Sequence, residues 1–275
     1  MNSIAHTASR RAPAAEAPGV QRTTPEELVK ILFDISAHSE SLMAARHPVR
    51  VGGSSFDIPK FMLLGQRGGG KPIRVALLAG IEDHGSLDGI SAISRLLVQA
   101  ELNPALARDY ALFAYPVVNT FEYHPAQQRL DSFDRRYAWE RPDEDVRFFR
   151  SELRKWRFDA ILTLRTDPAA ETFRATVRSE VLAREVVRPA LERVSTVTPV
   201  NVRPIKLRPG DLRTRLADYA EGRLTPPPEI RPYPFEAELF APGSAPEDLR
   251  IRSLFIATHE ILRNYRRLLS HGADL

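Results

Sequence analysis

The sequence predicts an α/β fold, a mixed twisted sheet sandwiched between helices, and three observations carry that prediction. Short apolar runs recur along the chain, as in Tyr110–Asn119 and Phe158–Arg165, and read as strands covered on both faces. Segments with apolar residues at helical spacing alternate with these runs, which is the order of an α/β protein. The most informative stretch joins the two patterns: Val75, Ala76, Leu77, Leu78 and Ala79 form a strand, Gly80 breaks it, and Ile90, Ile93 and Leu97 recur on a following helix. Between strand and helix stand Glu82, Asp83 and His84, with Ser86 as the expected helix cap and Asp88 expected one turn into the helix. The carboxyl ends of strands are where open α/β sheets bind ligands, so this turn is the first candidate site.

Composition sets the bounds. A chain of 275 residues with 43% apolar and 27% charged residues builds one sizeable core, and its 22 prolines imply many loops. The 39 basic residues are spread among 35 acidic ones, so the net charge of +4 describes a solvated surface rather than a nucleic-acid footprint. No cysteine is present, which excludes disulfides and thiolate metal sites. No apolar run approaches the roughly 20 residues of a membrane span, and the N-terminal region has no signal-peptide core, so the expectation is a cytoplasmic protein with neither membrane nor nucleic-acid partner. Oligomeric state is left open.

Each element has its own local reason. Residues 1–22, rich in Ala, Pro, Ser and Arg, read as a disordered tail, and 23–275 as a single domain. Thr24-Pro25-Glu26-Glu27 starts a helix, with Thr as cap, Pro in the first position and acids in the first turn; Leu28, Ile31, Leu32 and Ile35 are expected on its buried face. His47–Gly53 and Ile58–Gly65 read as two strands joined by a Gly-Ser-Ser turn. Gly65–Lys71 matches part of a phosphate-binding loop, but Pro72 stands where a magnesium-binding hydroxyl belongs and a strand follows instead of a helix, so it reads as a hairpin turn. Helices are expected over about 143–156 and over 176–194, the latter burying Val181, Val186, Val187 and Leu191. Thr198–Pro209 and Tyr233–Pro242 read as strands, and 210–230 as an exposed excursion between them. Glu247–Leu269 closes the chain as a helix with a stripe of Ile251, Leu254, Phe255, Ile261, Leu262, Tyr265 and Leu268.

Taken in order, five segments resemble the zinc carboxypeptidase superfamily, in particular its bacterial branch near succinylglutamate desuccinylase and aspartoacylase. VGGSSFDIPKFMLLG resembles the family's entry hairpin, and VALLAGIEDHG occupies the place of the strand that ends in the first two zinc ligands. YPVVNTFEYHPAQQRLDSFDRR is similar to the substrate-binding loop, FDAILTLRTDP stands where a strand ends in the third ligand, and FEAELFAP where a strand carries the catalytic glutamate. The resemblance spans about 48–270 and implies a zinc-carboxypeptidase-like fold.

What the resemblance implies for the site is mostly loss. Without a gap, the first ligand histidine falls on Glu82, the ligand glutamate on Gly85, and the second ligand histidine on Arg165. A guanidinium stays protonated and cannot ligate zinc. A shifted alignment offers His84 with Glu82 or Asp88, and His124 from the loop, as replacement ligands. Glu238 matches the general base; Glu236 is assigned to the opposite face of that strand. Arg129 matches the arginine that polarises the scissile carbonyl, Asp134-Arg135 replaces the pair that grips the substrate carboxylate, and Asn119 orders the loop.

Two functions compete. In the first, the protein is non-catalytic, needs no cofactor, and binds a small carboxylate or peptide terminus in a cleft lined by Arg135, Asn119 and Arg165, with Glu82 pairing with Arg165. In the second, it is an active metallohydrolase of carboxypeptidase or acyl-amino-acid amidohydrolase type, with zinc on His84, Glu82 and Asp88, and Glu238 and Arg129 as catalytic residues. A third expectation, a docking role for the basic, proline-rich 203–232 segment, rests on composition alone.

Overall fold

A computed structural model describes residues 23–51, 53–68, 71–81, 86–119, 143–177, 179–206 and 235–273. The expectations for 1–22, the 120–142 loop and 210–230 fall outside the described residues, as do Glu82, His84, His124, Arg129 and Arg135.

The strands are β1 (Leu42–Val51), β2 (Ser54–Leu64), β3 (Ile73–Leu78), β4 (Tyr110–Tyr115), β5 (Ala160–Asp167), β6 (Arg174–Val177), β7 (Ile205–Lys206) and β8 (Phe235–Pro242). They form one sheet in the order β1-β2-β4-β3-β5-β8-β6-β7. The four middle strands, β4, β3, β5 and β8, are parallel; β2 joins β4 antiparallel on one side and β6 joins β8 antiparallel on the other. The helices are α1 (Pro25–Ser36), α2 (Asp88–Leu102), α3 (Glu144–Trp156), α4 (Glu180–Leu182, Ala183–Val187 and Arg188–Val194, end to end) and α5 (Glu247–Ala273). A mixed sheet between helices is therefore what the chain forms.

Strand alternation separates two cores. Val75, Leu77, Leu162, Leu164, Ala237 and Leu239 face α2, α4 and α5. Ala76, Leu78, Phe113, Tyr115 and Ile161 face α3. On that second face Glu152 of α3 is buried and accepts hydrogen bonds from Tyr115 Oη at 2.6 Å and Trp156 Nε1 at 3.1 Å, and pairs with Lys60 Nζ. Burial and the neighbouring Glu152 charge push the Tyr115 hydroxyl far above the usual phenol range. The network pins α3 to β2 and β4.

The start of α1 is as the sequence predicts. Thr24 is the cap, and Thr24 and Glu27 complete a capping box in which each side chain accepts the other's backbone N–H. Its buried stripe is Pro25, Val29 and Leu32, however, and Ile31 is 51% exposed. Ser86 does not cap α2. The cap position is Leu87, one residue later, while the Ser86 hydroxyl accepts the N–H of Asp88, the first helical residue, at 3.3 Å and donates to its carboxylate at 2.8 Å.

Three further expectations are corrected. The 65–71 segment is no hairpin turn, since β2 and β3 lie on either side of β4 and the connection crosses the amino end of that strand. Residues 176–177 belong to β6, where Thr176 and Val177 pair with Glu238 and Ala237. Val181 is 44% exposed, whereas Val186, Val187 and Leu191 are buried as expected, joined by Leu182, Ala190 and Val194. The strand expected over 198–209 shrinks, among the described residues, to Ile205–Lys206 and a bridge at Val200.

Candidate functional site at the carboxyl ends of the central strands

Strand geometry places the candidates. Gly80 ends β3 with φ +65, a conformation that favours glycine, and its carbonyl accepts the Asn119 N–H at 2.9 Å. The segment after β4 is thus laid beside the end of β3, with Asn119 buried at the strand ends.

Arg165 and Glu238 lie on the α3-facing side of the sheet, on neighbouring parallel strands. Thr163, Glu238 and Thr176 align across β5, β8 and β6, and Arg165, Phe240 and Arg174 align in the next row. Arg165 is 7% exposed and Glu238 4%. Arg165 Nη1 stands 3.8 Å from Glu238 Oε1, and Thr176 Oγ1 donates to Glu238 Oε2 at 3.2 Å. Phe240 sits between two guanidinium groups, with Arg174 Cζ 3.9 Å and Arg165 Cζ 5.6 Å from its ring centroid. Arg174 also pairs with Asp167 at 2.8 Å.

Glu236 is buried on this same face, not the opposite one. Residues two apart on a strand share a face, so the contrary assignment fails on strand geometry alone.

Asp88 is placed elsewhere. Thr166 alternates with Arg165 and faces α2, and Thr166 Oγ1 donates to Asp88 Oδ2 at 2.6 Å. Arg250 of α5 reaches the same carboxylate, Nε to Oδ2 at 2.6 Å and Nη2 to Oδ1 at 3.3 Å, and Ser86 Oγ donates at 2.8 Å. A Cβ at Gly89 would lie 2.7 Å from the Leu164 carbonyl, so glycine lets α2 close on β5 and delivers Asp88 to Thr166. The structure brings Arg165 and Glu238 together and sets Asp88 on the other face of β5, with its carboxylate taken up by an ion pair. Arg250, Thr166, Thr176, Arg174 and Phe240 were not foreseen. Strand parity could have found the threonines, but nothing local joins Asp88 to a partner 162 residues away.

Among the described residues, no three His, Cys, Asp or Glu side chains come close enough to hold a metal ion. A catalytic zinc needs three protein donors around one open position. Here Arg165, beside Glu238, is a permanent cation with no lone pair to offer. The described donor set does not fit zinc.

The sequence matches no protein-family model and no curated protein. Solved structures do match. A metallo-carboxypeptidase from Burkholderia cenocepacia superposes with a TM-score of 0.66 at 11% identity, over 88% of this chain and 69% of that one. A metallo-carboxypeptidase from Pseudomonas aeruginosa, in complex with (2-guanidinoethylmercapto)succinic acid, gives 0.59 at 15% identity, over 88% of this chain and 69% of that one. The chain has a metallocarboxypeptidase-like fold. Bovine thrombin-activatable fibrinolysis inhibitor, in complex with tick carboxypeptidase inhibitor, is similar over 90% of this chain and 98% of its own, with a TM-score of 0.56 at 11% identity. At these identities the likeness concerns the fold.

Proposed function

We propose that this metallocarboxypeptidase-fold protein binds a small carboxylate or a peptide C-terminus without hydrolysing it, in a cleft at the carboxyl ends of β5 and β8. The observation that carries this reading is the Arg165–Glu238 pair: a guanidinium, not an imidazole, stands beside the carboxylate. An N–O separation of 3.8 Å is longer than a hydrogen bond. A ligand carboxylate closing to about 2.8 Å on the guanidinium fork would therefore be held more tightly than Glu238 holds it. In this reading Glu238 orients Arg165 instead of activating water. Asn119 orders the loop beside the cleft, and Arg135 and Arg129 add positive charge from that loop. Asp88 fastens the scaffold, and neither Glu82, His84 nor Asp88 serves a zinc ion.

Calorimetry with N-acetyl-amino acids and short peptides tests the proposal. Binding is expected in the unmodified chain and should weaken tenfold or more in Arg165→Met, roughly the loss of one charge-assisted contact. Turnover of the same compounds, dependent on zinc and on His84, would replace this reading with that of a metallohydrolase whose metal site is rearranged.

A further inference from the structure

The β1–β2 hairpin projects past the sheet. Phe61–Leu64 of β2 pair with Ala111–Ala114 of β4, which ends at Tyr115, so Ser54–Pro59 run on beyond the carboxyl end of β4. The first turn of α1 lies against this overhang, and between them opens a cavity of about 260 Å³. Pro25, Val29, Phe56, Pro59 and Val117 supply its apolar lining. Its polar lining is Arg46, Glu26, Asp57 and Ser55. Neither Arg165 nor Glu238 lines this cavity.

Its charges are of both signs and are not spent on each other. Among the described residues no hydrogen bond or ion pair engages the carboxylates of Glu26 or Asp57, and Arg46 rests 4.1 Å over the Phe33 ring. Arg46 is registered opposite Pro59, so Asp57, two residues along β2, is its diagonal neighbour. Diagonal neighbours stand about 7–8 Å apart, which leaves room for a small molecule between the two side chains.

From this geometry we infer that the cavity binds a free apolar α-amino acid. Arg46 takes the α-carboxylate, since its fork matches two oxygens. Asp57 and Glu26 take the α-ammonium, and the apolar wall covers the side chain. The volume admits one such molecule, and a site combining an apolar wall with a few convergent polar groups is how small ligands are held. This inference does not rest on the function proposed for the strand-end cleft.

Titration calorimetry of the full chain with L-leucine tests it, alongside 4-methylpentanoate, which lacks the ammonium, and isopentylamine, which lacks the carboxylate. Each single-charge analogue should bind about tenfold more weakly than leucine. Arg46→Gln and the pair Glu26→Gln/Asp57→Asn should each weaken leucine by a similar factor. All three positions are exposed, and Glu27 rather than Glu26 completes the capping box, so melting temperatures should stay put. In the Arg165→Met chain, where a carboxylate held at the strand ends no longer contributes, leucine should still bind with the same dependence on Arg46. Absence of leucine binding, analogues that bind as tightly, or binding that fails in Arg165→Met and survives in Arg46→Gln would each overturn the inference.

Discussion

Two ion pairs stand back to back across the carboxyl end of β5. On the face packed by α2 and α5, Asp88 receives Arg250, Thr166 and Ser86, with three contacts of 2.6–2.8 Å. On the other face Arg165 and Glu238 approach only to 3.8 Å, with Thr176 as a further donor to Glu238. Asp88, Arg165 and Glu238 are buried and Arg250 half-buried, and only the Asp88–Arg250 pair closes to hydrogen-bond distance. Desolvating charges is costly unless hydrogen bonds make it good, and the Asp88 carboxylate has them from three side chains. The first face fastens α2 and α5 to β5; binding is what we propose for the second.

Breaking the tight pair should have the largest effect. Asp88→Ala leaves Arg250 without its carboxylate and cuts the tie between the start of α2 and the end of β5. A loss of about 3–5 kcal/mol in chemical denaturation is expected. A loss below about 1 kcal/mol would mean that the two pairs do not differ as described.

Glu238→Gln sharpens the contrast on the other face. Glutamine can still accept from Thr176, so the stability change should stay near 1 kcal/mol. Removing the competing charge should tighten carboxylate binding to Arg165 several-fold, read by calorimetry. A hydrolase that used Glu238 as its base would instead lose turnover.

Much of this contrast can be read in the sequence, and the reasons are specific. Buried parallel strands announce themselves as apolar runs, and Thr24 through Glu27 spell out a helix start in four residues. Arg165 on β5 and Glu238 on β8 are singled out by the resemblance, as the positions of a ligand histidine and of the general base. What stayed hidden was non-local. The four-residue strand β6 merges in sequence with the helix after it, and β2 passes over β3 to pair with β4. Asp88 looks like a candidate ligand until α5 supplies Arg250. The face of Glu236 was legible from parity and was misassigned.

A smaller effect lies at the opposite end of β5. Asp159 accepts the Arg74 N–H at 2.8 Å, and burial holds its carboxyl above the ordinary 3.8. The folded state therefore binds this proton more tightly than the unfolded one. Its contribution to stability should fall as pH rises from about 3.8 through the folded value. Asp159→Asn keeps an acceptor for Arg74 and should flatten that part of the pH–stability curve; an unchanged slope would remove Asp159 from the account.

The central claim is that a fixed cation stands beside Glu238 in place of a metal-binding nitrogen. Zinc content of the purified full chain, measured by elemental mass spectrometry after equilibration with a small excess of zinc, tests it most directly. The account predicts far less than one zinc per chain, with no change in His84→Ala. One zinc per chain, lost in His84→Ala, would contradict it.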